Sequence, residues 1–318
     1  HQAYNAATNN NGIQKVGLVH GRKTSLTQPP VQGEGAGMSE LTQPSVAKRL
    51  AGAPLRDALL AQIPPVVAQL PRPPRLVVVR VAENPASAQY VRNQLAACAK
   101  VGIRAEEIHL HASENEAALH SLLHGLAHDD TVDAIIVQLP LPAAWNTRAA
   151  LDMVPALKDC DGLGTANTTL RQQGNPNAIL PATPLGVLRM LQHVGQPLAG
   201  ATVAVMGRGL VVGQPLREML AQAGATVVPL NRDTPHPQQL SRTADVLISA
   251  AGIPHALNDQ WVKPGAVVID VGLTRVEHQG QATLQGDVDP VRVAPVARYL
   301  TPVPGGVGPM TVASLLTN

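Results

Sequence analysis

From Pro74 onward the apolar residues fall into short, regular runs. Arg75-Leu-Val-Val-Val-Arg80 reads as a buried strand, and residues 87–101 read as a helix. Residues 103–109 alternate like a second strand. Residues 114–128 carry Ala118, Leu122 and Leu126 at helical spacing, and Ala134-Ile-Ile-Val137 makes a third strand. Strand, helix, strand, helix, strand predicts a parallel α/β sheet. Residues 174–184 are rich in turn formers and mark a domain junction. The rhythm then restarts. Residues 201–206 form a strand that ends in a glycine cluster, a helix runs through Ala221, and strands follow at 226–230, 245–249 and 266–271. The expected fold class is α/β in two domains, an N-terminal α/β domain with a parallel sheet and a Rossmann-like second domain. Residues 1–37, rich in Asn, Gln and Gly, have no apolar period. They are expected to be a leader or disordered extension, with Met38 as the native start.

Composition narrows the function classes. The chain of 318 residues is 45% hydrophobic and 14% charged. About 25% charged is typical of soluble domains, so disorder driven by charge is excluded. No Phe, two Trp and three Tyr leave little material for an aromatic platform that stacks single-stranded nucleic acid. The net charge of +2 belongs to residues 1–37, where Lys15, Arg22 and Lys23 face one acid, Glu34. The neutral remainder gives no electrostatic reason for a nucleic-acid partner. Two cysteines, Cys98 and Cys160, make no disulfide framework and suit a reducing compartment. No apolar run reaches the ~18 residues of a membrane span, and no secretory signal is evident. The expected location is the cytoplasm.

Candidate chemistry gathers at four places. Gly207-Arg-Gly-Leu-Val-Val-Gly-Gln-Pro215 puts Gly207, Gly209 and Gly213 between a strand and a helix, where backbone can approach a pyrophosphate at the helix N-terminus. A tight strand-to-helix turn alone would explain the same pattern. The next strand ends in Leu230-Asn-Arg232, and Arg208 with Arg232 favours the extra phosphate of NADP over NAD, although Asp233 follows. His120, His124 and His128 recur every four residues beside the stripe of Leu119, Leu122, Leu123 and Leu126, which makes them a solvated flank, and no metal is expected. The run Thr301-Pro-Val-Pro-Gly-Gly-Val-Gly-Pro-Met-Thr311 is a rigid loop entering a last helix, or a backbone wall against a flat ligand.

That run, with Asn84-Pro-Ala-Ser-Ala-Gln-Tyr-Val91, Val137-Gln-Leu-Pro-Leu-Pro142, Lys158-Asp-Cys-Asp-Gly162, Pro181-Ala-Thr-Pro184, Lys263-Pro-Gly-Ala-Val-Val-Ile-Asp-Val-Gly272 and Gly286-Asp-Val-Asp289, resembles the methylenetetrahydrofolate dehydrogenase/cyclohydrolase family. The matches are collinear from about residue 75 onward. The resemblance implies a folate domain at 38–181 completed by a returning helix at 304–318, and an NADP domain at 182–303. It also implies a homodimer formed through the cofactor domains. It implies oxidation of methylenetetrahydrofolate with NADP, then hydrolysis of methenyltetrahydrofolate. Tyr90 matches the tyrosine against the folate rings, Asp161 the aspartate at the pterin edge, and Gln138 the glutamine near the reacting carbon. Pro304, Gly305 and Gly306 match the substrate loop, Gly207, Arg208 and Gly209 the cofactor loop, and Leu273 the apolar position after the strand.

Four positions depart from the family pattern. Gln94 stands where the family has lysine, Gly209 where it commonly has Ser, Gly164 where it has His, and Ala182 where it has Cys. The next base, Lys100, lies on another face of the helix. Hydride transfer needs two rings held face to face and no obligatory protein proton carrier. Hydrolysis needs proton removal from water and delivery to the leaving nitrogen, and an amide cannot titrate. The expected activity is therefore the dehydrogenase, with Gln94 weakening the cyclohydrolase. The alternatives are an inactive folate- or NADP-binding relative and a bifunctional enzyme with another proton carrier.

Overall fold

The computed structural model describes residues 46–111, 113–278 and 281–318. The expected extension at 1–37 and the start at Met38 lie outside the described residues. In chain order the first elements are β1 (Lys48–Arg49), α1 (Gly52–Leu60), α2 (Ile63–Val67), β2 (Arg75–Val81), α3 (Pro85–Val101), β3 (Arg104–Leu110), α4 (Glu116–His128), β4 (Ala134–Val137), α5 (Thr147–Asp152), α6 (Thr165–Gln172) and α7 (Ala182–His193). The second series is β5 (Thr202–Met206), α8 (Gly213–Gln222), β6 (Thr226–Leu230), α9 (Pro237–Ser241), β7 (Val246–Ser249), β8 (Val267–Asp270), β9 (Thr274–His278), β10 (Gln281–Gln285), α10 (Pro290–Val293), β11 (Tyr299–Leu300) and α11 (Val307–Thr317).

The first lobe is a three-stranded parallel sheet in the order β3-β2-β4. Central β2 is buried from Leu76 through Val81, which is why its sequence reads as a continuous apolar run. Asn115 caps α4, its side chain accepting the Ala118 N–H at 3.0 Å, so the helix starts two residues later than its apolar period predicts. The second lobe is a six-stranded parallel sheet in the order β1-β11-β8-β7-β5-β6. Lys48 and Arg49 reach across from the first lobe to pair with Tyr299 and Leu300. Both have exposed side chains, so backbone pairing and not side-chain burial makes β1. The antiparallel pair β9–β10 stands apart from both sheets.

From Val46 on, the chain is one compact unit. Helix α11 ties its lobes. Val312, Ala313, Leu315 and Leu316 enter the core under α3, whereas Val307 and Met310 enter the core under α7 and α8. Among the described residues, no helix is long and apolar enough to cross a membrane.

Candidate active site

Tyr90 and Gln94 lie four residues apart on α3, so they share one face. The half-buried Tyr90 phenol sits within hydrogen-bonding reach of the Gln94 and Thr311 side chains. Burial, then the nearby Asp161 charge, raises its pKa far above the ordinary phenol value, and those two hydrogen bonds only partly oppose the shift. Tyr90 is therefore a neutral phenol. Asp161 is lifted to about 7 by burial and then by the Asp159 charge, against the Ala182 N–H that it accepts at the start of α7. Asp159 shapes the turn that carries Asp161: its carboxylate accepts Gly164 N at 2.9 Å, Leu163 N at 3.3 Å and Asn167 Nδ2 at 3.0 Å.

Gln94 is 2% exposed, and its Oε1 has no hydrogen-bond partner among the described residues. A buried amide oxygen left this way costs about 1–3 kcal/mol. Gln138 follows β4 at the cleft end of the sheet, and its amide donates to Leu139 O at 2.9 Å, not to Tyr90 or Asp161. Pro304, Gly305 and Gly306 form the loop that enters α11. Gly52 N donates to Gly305 O at 2.9 Å, and a Cβ on Gly52 would collide with Gly306 O. No motif in the sequence marks Gly52. Thr311 lies in the run at 301–311, but its contact with Tyr90 joins residues distant in sequence and only the fold displays it.

On the other side, Gly207 leaves β5 at φ 115°, and a Cβ there would strike Ala250 O. A Cβ on Gly213 would strike Gly207 O at the start of α8. The two glycines fold the loop back on itself beneath the helix N-terminus, and this cradle fits a dinucleotide pyrophosphate. Gly209 and Arg208 are exposed beside it. Gly207 N donates to Leu230 O at 3.4 Å, so Arg208 and Arg232 extend from neighbouring strand ends. Leu273 is 56% exposed beyond β8, which closes at Asp270, short of the predicted end. Two buried acids fix these strand ends, and neither residue type nor spacing in the sequence gives them that role. Asp287 accepts Ser249 Oγ at 2.7 Å and the N–H groups of Ala251 and Ile253 at 2.7 and 2.9 Å. Asp270 accepts Gly272 N at 2.9 Å and Val288 N at 2.8 Å, and burial lifts its carboxyl to about 6.

Comparison with known proteins decides the kinship. The tetrahydrofolate dehydrogenase/cyclohydrolase catalytic-domain family model matches residues 50–161, and the NAD(P)-binding-domain model matches residues 181–318. The chain belongs to this family. The bifunctional protein FolD of Sorangium cellulosum (strain So ce56) is 44% identical over 262 residues, 82% of this chain and 90% of that protein. The bifunctional FolD of Campylobacter jejuni is 36% identical with a TM-score of 0.80, covering 85% of this chain and 96% of that one. The FolD of Trypanosoma brucei, solved with NADP and an inhibitor, is 34% identical with a TM-score of 0.82, covering 85% and 95%.

Of the four positions expected to depart from the family pattern, Gln94 is the one buried beside Tyr90 on α3. Lys100 is exposed in the last turn of α3 and supplies no cation there. Gly209 faces open space, whereas a Cβ on Gly164 would come within 3.2 Å of Asp159 Oδ2. Ala182 is fully buried in the core beside α3. His124 and His128 are exposed on α4, with Leu119, Leu123 and Leu126 on its buried face.

Proposed function

We propose that this enzyme oxidises methylenetetrahydrofolate to methenyltetrahydrofolate with NADP, and that its hydrolysis of the product is weak. The observation that carries the reading is Gln94, buried beside Tyr90 with a free amide oxygen where the family has a titratable amine. Asp161 accepts the adjacent N–H donors of the pterin edge as a carboxylate. The neutral Tyr90 phenol lies against the ring system, Gln138 stands near the reacting carbon, and the 304–306 loop walls the site. Gly207, Gly209 and Gly213 hold the cofactor pyrophosphate, Arg208 and Arg232 the extra phosphate, and Leu273 an apolar surface. NADP, when bound, supplies the hydride acceptor. Gln94 orients a water through its free oxygen but neither takes nor returns a proton. A cytoplasmic homodimer, formed through the cofactor lobe, with domain limits at 38–181 and 182–303, completes the reading. Among the described residues the outer edge of β6 pairs with no strand, which supports that interface.

A two-step absorbance assay tests it. Methenyltetrahydrofolate should accumulate in the unmodified enzyme, and Gln94→Lys should speed its hydrolysis by about 10²–10⁴-fold, the usual worth of general acid–base help. Hydride transfer should change little. Hydrolysis as fast as formation in the unmodified enzyme rejects the assignment. One observation favours a second reading: the Asp161 carboxyl near 7 has the poise of a proton carrier. In that case Asp161→Asn abolishes hydrolysis while Gln94→Lys leaves it unchanged.

A further inference from the structure

Neighbouring β2 and β3 run in register, with Arg80 opposite His109 and Val81 opposite Leu110. The pairing continues past the strand end, where Ala82 N donates to Leu110 O at 2.9 Å. Glu83 is the next residue, and His109 and His111, two apart, project to one side of the chain. This brings Glu83 Oε1 within 3.6 Å of His109 Nε2, and sets the two imidazole centroids 5.1 Å apart. One ligand atom from each of the three side chains lies within 4.8 Å of the others. From this geometry we infer that Glu83, His109 and His111 form a binding site for a zinc-class divalent metal ion.

The chemistry fits that ion. Two imidazoles and one carboxylate are a recurrent zinc set, with water in the remaining position. Bonds of about 2.0–2.2 Å to a tetrahedral ion separate its ligand atoms by about 3.4 Å. Contraction from 4.8 Å calls for side-chain rotation, and Glu83 and His111 are exposed to solvent. Two neighbours compete. Ala82 O lies 3.2 Å from His109 Nε2, and Arg80 Nη1 lies 4.0 Å from Glu83 Oε2. The Arg80 guanidinium is already paired with Glu107, so its charge is compensated before an ion arrives. The expectation of no metal rested on the α4 histidines, whereas Glu83, His109 and His111 are separated in sequence and meet through strand pairing. The ion would clamp the turn into α3, the helix that carries Tyr90 and Gln94.

The test is zinc binding to the full chain by equilibrium dialysis with metal analysis, with magnesium as the control that oxygen-poor sites reject. His109→Ala/His111→Ala should bind one equivalent less than the unmodified protein, and Glu83→Gln should bind at least tenfold more weakly. His124→Ala/His128→Ala, which removes the tilted imidazole pair with centroids 4.4 Å apart on α4, should keep the equivalent. Zinc should also raise the Tm of the unmodified protein by a few degrees more than that of His109→Ala/His111→Ala. Equal stoichiometry in the unmodified and His109→Ala/His111→Ala proteins overturns the site, as does loss of the equivalent from His124→Ala/His128→Ala alone. Far-ultraviolet circular dichroism in EDTA verifies that each variant is folded before it is scored.

Discussion

The carboxyl of Asp161 titrates near 7 in the folded chain and near 3.9 in an unfolded one. The folded state therefore holds the proton more tightly. Its stabilising contribution is complete below about pH 4 and disappears as pH rises to about 7. Three units at 1.36 kcal/mol each set an upper limit of about 4 kcal/mol. Asp161→Asn should melt several degrees higher than the unmodified protein at pH 8 and equally at pH 4, in thermal scans, while its folate KM rises. Asp270, lifted to about 6, adds a smaller contribution of the same sign over a narrower pH window, which this substitution leaves intact. At the cofactor loop, Arg208→Ala should weaken NADP by about 1.5–3 kcal/mol, the range for a hydrogen bond to a charged group. NAD should lose much less, and titration with both cofactors separates the two. At this scale the family resemblance at 84–91 pointed to Tyr90 and, four residues on, to Gln94. The sequence concealed Asp287, whose partners follow a different strand.

Helix α1 positions the 304–306 loop through a missing side chain. Gly52→Ala would press a methyl group into Gly306 O and break the 2.9 Å bond from Gly52 N to Gly305 O. Overpacking of this kind costs about 1–3 kcal/mol. Urea denaturation should register it, and the KM for folate should rise while that for NADP stays constant. What could be read from sequence follows burial. The strands β2, β4, β5, β7 and β8 are covered on both faces, so they appear as apolar runs bounded by turn residues. Strands β1 and β11, two residues each, carry too little pattern to be recognised and depend on partners far along the chain. Helix α11 has apolar and small polar residues on every side, because two different cores enclose it, so no single stripe announced its orientation.

Across the whole molecule, α6 and α8 latch the lobes together. Arg171, 3% exposed, donates to Glu218 Oε2 at 2.9 Å, and Gln222 Nε2 donates to Arg171 O at 2.9 Å. Glu218→Ala would strand the guanidinium, whose Nε and Nη1 already lack partners among the described residues. The loss should approach about 3 kcal/mol, the low end for a broken buried pair. Chemical denaturation measures it, and Glu218→Asp, which keeps the charge, should lose less. The placement of α11 bears on how the protein is made. Ribosomes release a chain from its beginning, and a lobe can close only when every segment of its interior has emerged. Here one core of each lobe, under α3 and under α7 and α8, waits for residues 307–317, so a nascent chain that has translated both sheets still presents two open apolar clefts. Chaperones would meet the two lobes in this state together, and synthesis that stalls shortly before Val307 should yield aggregation-prone protein instead of one finished lobe with a loose tail.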